Sequence, residues 1–141
     1  MRSWAERQAR TRRAAKIAKA FEISTAYENP LTQRLIDGLS AISGLAIHGI
    51  TDPARVGERV PTVSFIVDGN VPETIVRQMN AENIFLWSGH NYAWEVVHQL
   101  GIPAEQGVVR IGIAHYNTAA EIDETLESVH RVIAMLRQER S

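Results

Sequence analysis

The feature that most constrains the fold of this chain is the alternation of short strand patterns with helical segments. Apolar and polar side chains alternate from Thr62 to Val67 with a β-branched and aromatic bias, which predicts a strand with one buried face. Further strands are predicted from Leu45 to His48, from Asn83 to Trp87 and from Val108 to Ile113. The elements follow the order helix, two strands, helix, strand, helix, strand, helix. This order predicts an α+β fold with a small mixed or antiparallel sheet and helices mainly on one face.

Capping residues, prolines and helix propensity predict where the helices begin. Residues 4–23 combine apolar side chains at helical spacing with residues of high helix propensity. A new helix start is indicated at Asn29-Pro30, or at Thr25 as an alternative cap, while one long helix that contains Pro30 also fits the pattern. The remaining helices are predicted to begin at Pro72, Tyr92 and Thr118.

Charge is spread unevenly, although the formal net charge of the whole chain is only −1. Residues 1–19 contain seven Arg and Lys side chains and one Glu, so they carry +6 and residues 20–141 carry −7. An acidic main body argues against a nucleic-acid partner, and no apolar run is long enough for a membrane span. A basic arm that binds nucleic acid or an anionic membrane stays a minor alternative to a solvated helical face.

Several kinds of chemistry are excluded or disfavoured by residue type. The chain has no cysteine, which excludes disulfides, thiolate metal sites and a cysteine nucleophile. This lack also fits a reducing cytoplasm, where we expect the protein. None of the five histidines has a metal-ligand spacing to another, so no metal site is predicted.

Arg110 is the candidate functional residue that strand patterning singles out. It lies inside an otherwise apolar strand, Val108 to Ile113. Because an unpaired buried guanidinium is strongly unfavourable, this side chain either faces solvent or binds an anion in a cleft. A guanidinium presents a fork of donors that matches a carboxylate. Spacing alone leaves both alternatives open.

A longer motif surrounds this arginine: Val109-Arg110-Ile111-Gly112-Ile113-Ala114-His115-Tyr116-Asn117-Thr118, followed by Glu121-Ile122-Asp123. Three further stretches agree with it in order, namely Tyr27-Glu28, Arg59 to Phe65, and Ser88 to Ala93. Together they resemble class V aminotransferases, and most closely the cysteine desulfurase-like branch of pyridoxal-phosphate enzymes. The resemblance covers roughly Ile23 to Leu136 and implies the small, C-terminal domain of a fold-type I enzyme.

The resemblance implies roles for two residues in substrate binding. Arg110 matches the arginine that holds the α-carboxylate of the amino-acid substrate. His90 lies in the loop that faces the cofactor pocket, so we expect it to contact substrate as well. In the desulfurases this loop carries the sulfur-accepting cysteine, and this chain has Tyr92 there. Persulfide chemistry on this loop is therefore not expected, and the role of Tyr92 stays open between chemistry and packing.

The resemblance also implies a large domain that supplies the Schiff-base lysine, whereas Lys16 and Lys19 lie in an Arg-rich helix. We expect pyridoxal phosphate in the complete enzyme, none on this chain alone, and no catalytic or cofactor-binding residue here. The predicted division is a basic helical arm over residues 1–23 and a small domain over residues 24–141. We expect the partner of this small domain to be the missing large domain or a second copy of the chain. The alternative is a non-catalytic, homodimeric α+β module that binds a protein or a small carboxylate.

Overall fold

A computed structural model describes residues 4–140 of the chain. Four helices and four strands follow one another with a short 3₁₀ helix between the first two strands. Their bounds are α1 Trp4–Ser40, β1 Leu45–His48, the 3₁₀ helix Pro53–Glu58, β2 Thr62–Val67, α2 Pro72–Ala81, β3 Trp87–Gly89, α3 Trp94–Gln99, β4 Val108–Gly112 and α4 Ala119–Gln138.

The four strands form one antiparallel sheet in the order β1-β2-β4-β3. In the centre of the sheet, Val63 of β2 lies opposite Ile111 of β4, and Phe65 lies opposite Val109. These four side chains are buried, as the alternation of the two strands predicts. The expected α+β class is confirmed, and the sheet is antiparallel.

Helices α1, α2 and α4 cover the buried face of the sheet and form the main core with it. The most deeply buried helical side chains of this core are Leu35, Leu39, Ile75, Met79, Val129 and Ile133. Helix α3 packs on the other face, where Val97 lies in a smaller cluster with Val108 and Ile102. The helices therefore lie mainly on one face, as expected.

The start of α4 is held by the predicted capping box. The Thr118 hydroxyl accepts the backbone N–H of Glu121 at 3.2 Å, and the Glu121 carboxylate accepts the backbone N–H of Thr118 at 2.7 Å. These reciprocal bonds hold the pKa of the Glu121 carboxyl below its ordinary value, chiefly through the Thr118 backbone. The helix therefore begins directly after the segment that carries Arg110.

The first helix is continuous, so a separate start at Asn29-Pro30 is wrong and the alternative of one long helix is correct. Pro30 lies inside α1, although a proline in a helix interior costs roughly 3 kcal/mol. Burial on its C-terminal side offsets this cost, since Leu31, Leu35 and Leu39 all lie in the core. Residues 11–23 are exposed throughout. The helix runs unbroken past residue 23, so the division into arm and domain stays a prediction.

The third strand begins later than the sequence indicates. A strand was expected from Asn83 to Trp87, but β3 begins only at Trp87. Asn83 has φ +62°, and the N–H of Ile84 bonds to the carbonyl of Met79 at 3.1 Å. These residues therefore close the end of α2 rather than extend a strand.

Helix α3 also begins later than expected, at Trp94 instead of Tyr92. The reason is local, because Asn91 and Tyr92 have φ of +49° and +63°. Both residues are thus in the left-handed region, which a right-handed helix excludes. The segment before α3 is a tight loop at the end of β3.

Candidate functional site

One residue from each of the four strands lies in a row across the sheet face opposite the main core. The register pairs His48 with Ser64, Ser64 with Arg110, and Arg110 with Trp87. Cα atoms of directly opposed residues in such a sheet are about 4.5–5.5 Å apart. Arg110 therefore lies in a row of polar and aromatic side chains, outside the main core.

A cavity of about 410 Å³ lies over this row, between the sheet and α3. No Asp or Glu side chain is among the residues that line it. The sheet contributes the polar side chains of His48, Ser64 and Arg110, and the loop after β3 contributes the imidazole of His90. Val96 of α3 and Leu100, which directly follows α3, contribute apolar side chains. The structure thus brings together Arg110 and His90, the two residues that the sequence predicted to contact substrate.

Arg110 has no carboxylate partner within the part of the chain that the structure describes. The ion pairs found there join other residues: Lys19–Glu22, Arg34–Asp123, Arg55–Glu58 and Arg131–Glu82. Its side chain is exposed and lines the cavity. The guanidinium thus faces solvent within a cleft, and its role in binding an anion stays a prediction. It is free to form a bidentate pair with an anion that enters the cavity.

The loop that carries His90 is fixed by short-range bonds. The Asn91 side chain donates to the carbonyl of Gly89 at 3.0 Å, and the N–H of Ala93 donates to the carbonyl of His90 at 2.8 Å. The His90 ring meets Trp94 edge-on, with ring centroids 5.4 Å apart. His90 is thereby held at the entrance of α3 beside the cavity.

Glycine is required where this loop passes the start of β4. A Cβ atom on Gly107 would lie 2.0 Å from the carbonyl carbon of Gly89, and Gly107 itself has φ +65°. A side chain there would push the two backbones apart. The close approach fixes the distance between the His90 loop and the strand that carries Arg110.

Two enclosed nitrogen atoms of the cavity-lining residues lack a hydrogen-bond partner. They are Nε2 of His48 and Nδ1 of His90, and neither has a partner among residues 11–140, whose side chains the structure describes. Leaving an enclosed polar group unpaired costs about 1–3 kcal/mol. Both nitrogens are therefore available for a hydrogen bond with a molecule that enters the cavity.

Sequence reasoning did not assign His48 or Ser64 to the site. Both residues reach it only through strand pairing, because they lie in β1 and β2, far along the chain from Arg110. The signal that could have found them is the alternation of β2, which places Ser64 on the face opposite Phe65. The partner of Ser64 in β1 depends on register, which one sequence does not reveal.

Tyr92 is fully exposed and does not pack on the described residues. It follows Asn91 at the cavity but does not line the cavity itself. Its φ of +63° is unusual for a tyrosine, because the left-handed region brings Cβ close to the carbonyl oxygen. The packing role considered for Tyr92 is therefore not observed within residues 4–140.

Metal and membrane chemistry find no support in the described part of the chain. Residues 11–140, whose side chains the structure describes, contain no group of three His, Asp or Glu side chains arranged to hold a metal ion. Among the same residues, no helix is both long and apolar enough to cross a membrane.

Comparisons with known proteins agree on one family. Residues 11–125 match the family model described as aminotransferase class V. An aminotransferase-like protein of Gibberella zeae is 31% identical over 108 residues, which cover 76% of this chain and 27% of that protein. A probable cysteine desulfurase of Mycolicibacterium paratuberculosis is 33% identical over 107 residues, which cover 76% of this chain and 14% of that protein.

The fold is likewise similar to that of solved enzymes. The apo structure of a cysteine desulfurase from Thermococcus onnurineus NA1 superposes with a TM-score of 0.69 at 26% identity, over 77% of this chain and 26% of that one. This chain therefore spans less than a third of the length of each relative described here.

Proposed function

Because this chain belongs to the class V aminotransferase family, we propose that it acts as the small domain of a pyridoxal-phosphate enzyme that uses an amino-acid substrate. Its role is to bind the α-carboxylate of that substrate at Arg110. One observation carries this proposal: Arg110 lines a cavity without acidic residues and has no carboxylate partner among residues 11–140.

Strand β4 holds the backbone of Arg110 in a fixed position. Its neighbours Val109 and Ile111 are buried in the main core, so the backbone below the guanidinium is held by packing on the other face. The rigid strand fixes where the Arg110 side chain begins, and the planar fork of its guanidinium loses less freedom for each hydrogen bond formed than a flexible ammonium does. Holding the carboxylate at a fixed place orients the amine and the neighbouring bonds of the substrate, which is a positioning contribution to catalysis.

His90 is proposed as the second substrate contact. Its ring is held against Trp94, and its Nδ1 has no partner among residues 11–140. An imidazole fixed in this way contributes one hydrogen bond to a substrate in the cavity, on the side of the loop. Arg110 and His90 thus approach the substrate from the sheet and from the loop.

The residues described here do not form a pyridoxal-phosphate site by themselves. Lys16 and Lys19, the two lysines of the chain, lie in the exposed part of α1, and α1 packs on the sheet face opposite the cavity. In the complete enzyme, pyridoxal phosphate supplies the electron sink for bond cleavage beside the substrate amine. We therefore propose that the cofactor, its lysine and the activity depend on a large domain, and that this chain alone is inactive.

The residue types of this chain also restrict the reactions that the proposed enzyme can catalyse. Without cysteine, the loop at Tyr92 has no thiol that could accept sulfur, and a phenol does not replace it. The proposal therefore favours a transferase or lyase reaction that needs no sulfur relay on this loop. A cytoplasmic location, supported by the lack of cysteine, belongs to the same proposal.

A second candidate is a non-catalytic module that binds a small carboxylate and pairs with a second copy. Exposed aromatic side chains at one edge of the sheet favour it, since Phe85 and Trp87 are 76% and 71% exposed. Size measurement separates the two candidates: the module forms a stable dimer by itself, whereas a small domain does not need one.

The direct test of the Arg110 site is a binding titration of this chain. We expect L-alanine to shift the Nε–Hε NMR signal of Arg110, and ethylamine, which lacks only the carboxylate, to leave it unchanged. Arg110→Ala should abolish binding. Arg110→Lys should weaken it about tenfold or more, because one ammonium does not reproduce the bidentate fork. Arg77→Ala, on the exposed side of α2, is the matched control. Unaltered binding by Arg110→Ala would exclude the proposal.

A further inference from the structure

We propose that His48 and Ser64 extend the Arg110 site into a three-residue carboxylate site, with His48 contacting the ligand from the far side of β2. This inference rests on the proposed function, because it assigns further residues to the same cavity. The ligand class is a small carboxylate whose carbon atoms next to the carboxyl group face the apolar side chains of α3.

The register of the sheet supplies the geometry. His48, Ser64 and Arg110 occupy directly opposed positions on β1, β2 and β4. With about 5 Å between opposed Cα atoms, the Cα atoms of His48 and Arg110 lie roughly 10 Å apart on either side of Ser64. A point above the Ser64 hydroxyl is therefore within reach of both side chains. A carboxylate at that point has donors on three sides.

The unpaired nitrogen of His48 indicates that something completes its environment. His48 is half-buried, and its Nε2 is enclosed without a hydrogen-bond partner among residues 11–140. The torsion about Cβ–Cγ of histidine is broad, so the ring turns its nitrogen-bearing edge into the cavity at small cost. A ligand oxygen there replaces an unpaired group by a hydrogen bond to a charged acceptor, which is the stronger kind.

Charge defines the ligand as an anion. Residues 20–141 carry a net charge of −7, yet none of their acidic side chains lines this cavity, where Arg110 supplies a cation. Apolar side chains of α3, including Val96 and Leu100, line the remaining part. These apolar side chains reduce the local polarity and strengthen the attraction between Arg110 and a carboxylate. A cationic ligand is repelled by Arg110, and a neutral acceptor gains a weaker interaction with the guanidinium than a carboxylate does.

The test follows the imidazole NMR signals of the chain during titration with L-alanine, again with ethylamine as the control ligand. The signals of His48 and His90 should shift with the same dissociation constant as the Arg110 signal. The exposed residues His98, His115 and His130 lie outside the cavity, and their signals should stay in place.

Variants then separate a binding residue from a structural one. His48→Phe keeps an aromatic ring but removes both nitrogens, and we expect it to raise the dissociation constant about tenfold. His48→Gln keeps a donor of similar reach and should restore most of the affinity. His130→Phe on α4 is the matched control and should bind like the unchanged chain. The amide spectrum of each variant reports whether the fold is intact.

The outcomes distinguish this inference from the function on which it rests. Unchanged affinity in folded His48→Phe, together with loss of binding in Arg110→Ala, overturns the His48 assignment and leaves the Arg110 site standing. Unchanged affinity in Arg110→Ala overturns both. A folded His48→Gln that binds as weakly as His48→Phe also counts against hydrogen bonding by His48.

Discussion

The residues of the candidate site differ in how much packing surrounds their backbone. Arg110 stands on a central strand whose adjacent side chains, Val109 and Ile111, are buried in the core. Tyr92 stands on a loop, in the left-handed region, with its side chain fully exposed. Backbone strain of this kind is retained where the surroundings impose it, and it concentrates at functional sites. We therefore regard the conformation of Tyr92 as imposed by the loop and not by the packing of its ring.

Replacing Tyr92 tests whether its backbone is strained. Tyr92→Asn should raise the free energy of unfolding by up to about 1 kcal/mol, because asparagine tolerates the left-handed region better than tyrosine. The measurement is urea unfolding at equilibrium. Tyr116→Asn is the matched control, since Tyr116 is also exposed but is not among the described residues with positive φ. An equal effect of both substitutions would show that Tyr92 is not strained.

At the scale of elements, α4 is fixed by carboxylates at three points. Besides the capping box, Arg34 of α1 holds Asp123 in a bidentate pair, with donor–acceptor distances of 2.5 and 2.7 Å. The Glu82 carboxylate after α2 accepts bonds from Arg131 and Ser128 of α4. These bonds lower the pKa of Asp123, chiefly through the Arg34 hydrogen bond, and that of Glu82, chiefly through the Arg131 hydrogen bond. α4 is thus tied to α1 and to the end of α2 by charges that need ionised carboxylates.

A pH dependence of stability follows from these pairs. A carboxyl group with a lowered pKa in the folded state stabilises the fold above its unfolded pKa, and this contribution disappears as the pH falls through its folded pKa. Asp123→Asn should therefore reduce the free energy of unfolding at neutral pH and flatten its fall between about pH 5 and pH 2. Thermal unfolding at a series of pH values measures both effects.

The control for this pH series is Glu124→Gln, which removes an exposed carboxylate next to Asp123 on the same helix. It should leave the slope of stability against pH close to that of the unchanged chain. If Asp123→Asn and Glu124→Gln alter the slope equally, the Arg34–Asp123 pair does not contribute.

Elements with local signals were predictable from the sequence, and those set by non-local contacts were not. The alternation in β2, the proline that opens α2 and the capping box of α4 are local, and the structure has each in its predicted place. The start of α3 was missed because Asn91 and Tyr92 both adopt the left-handed region, which asparagine tolerates but tyrosine seldom takes. Arg110 was predicted from its strand pattern, and the family motif assigned substrate binding to Arg110 and His90. His48 lies at the site only because of the strand register, which one sequence does not reveal.

At the scale of the whole molecule, the long first helix has two parts with different environments. Residues 11–23 are exposed throughout, and their larger apolar side chains include Phe21 and Ile23, at 69% and 61% exposure. From Leu31 onward the helix contributes to the core. Between these parts, the Tyr27 hydroxyl donates to the carbonyl of Asn117 at 2.7 Å and ties the helix to the segment before α4. The core contacts of α1 that the structure describes therefore lie on the C-terminal side of residue 23.

Deletion of residues 1–23 tests this division of the chain. The shortened chain keeps Tyr27 and every core residue of α1, so its melting temperature should stay within about 3 °C of that of the full chain. Leu35→Ala in the full chain is the contrast, because Leu35 is completely buried and its truncation should cost about 2–5 kcal/mol. Calorimetry of the three proteins decides the question. If the deletion destabilises the fold as much as Leu35→Ala does, residues 1–23 belong to the domain, and the exposed helix surface is not independent of its stability.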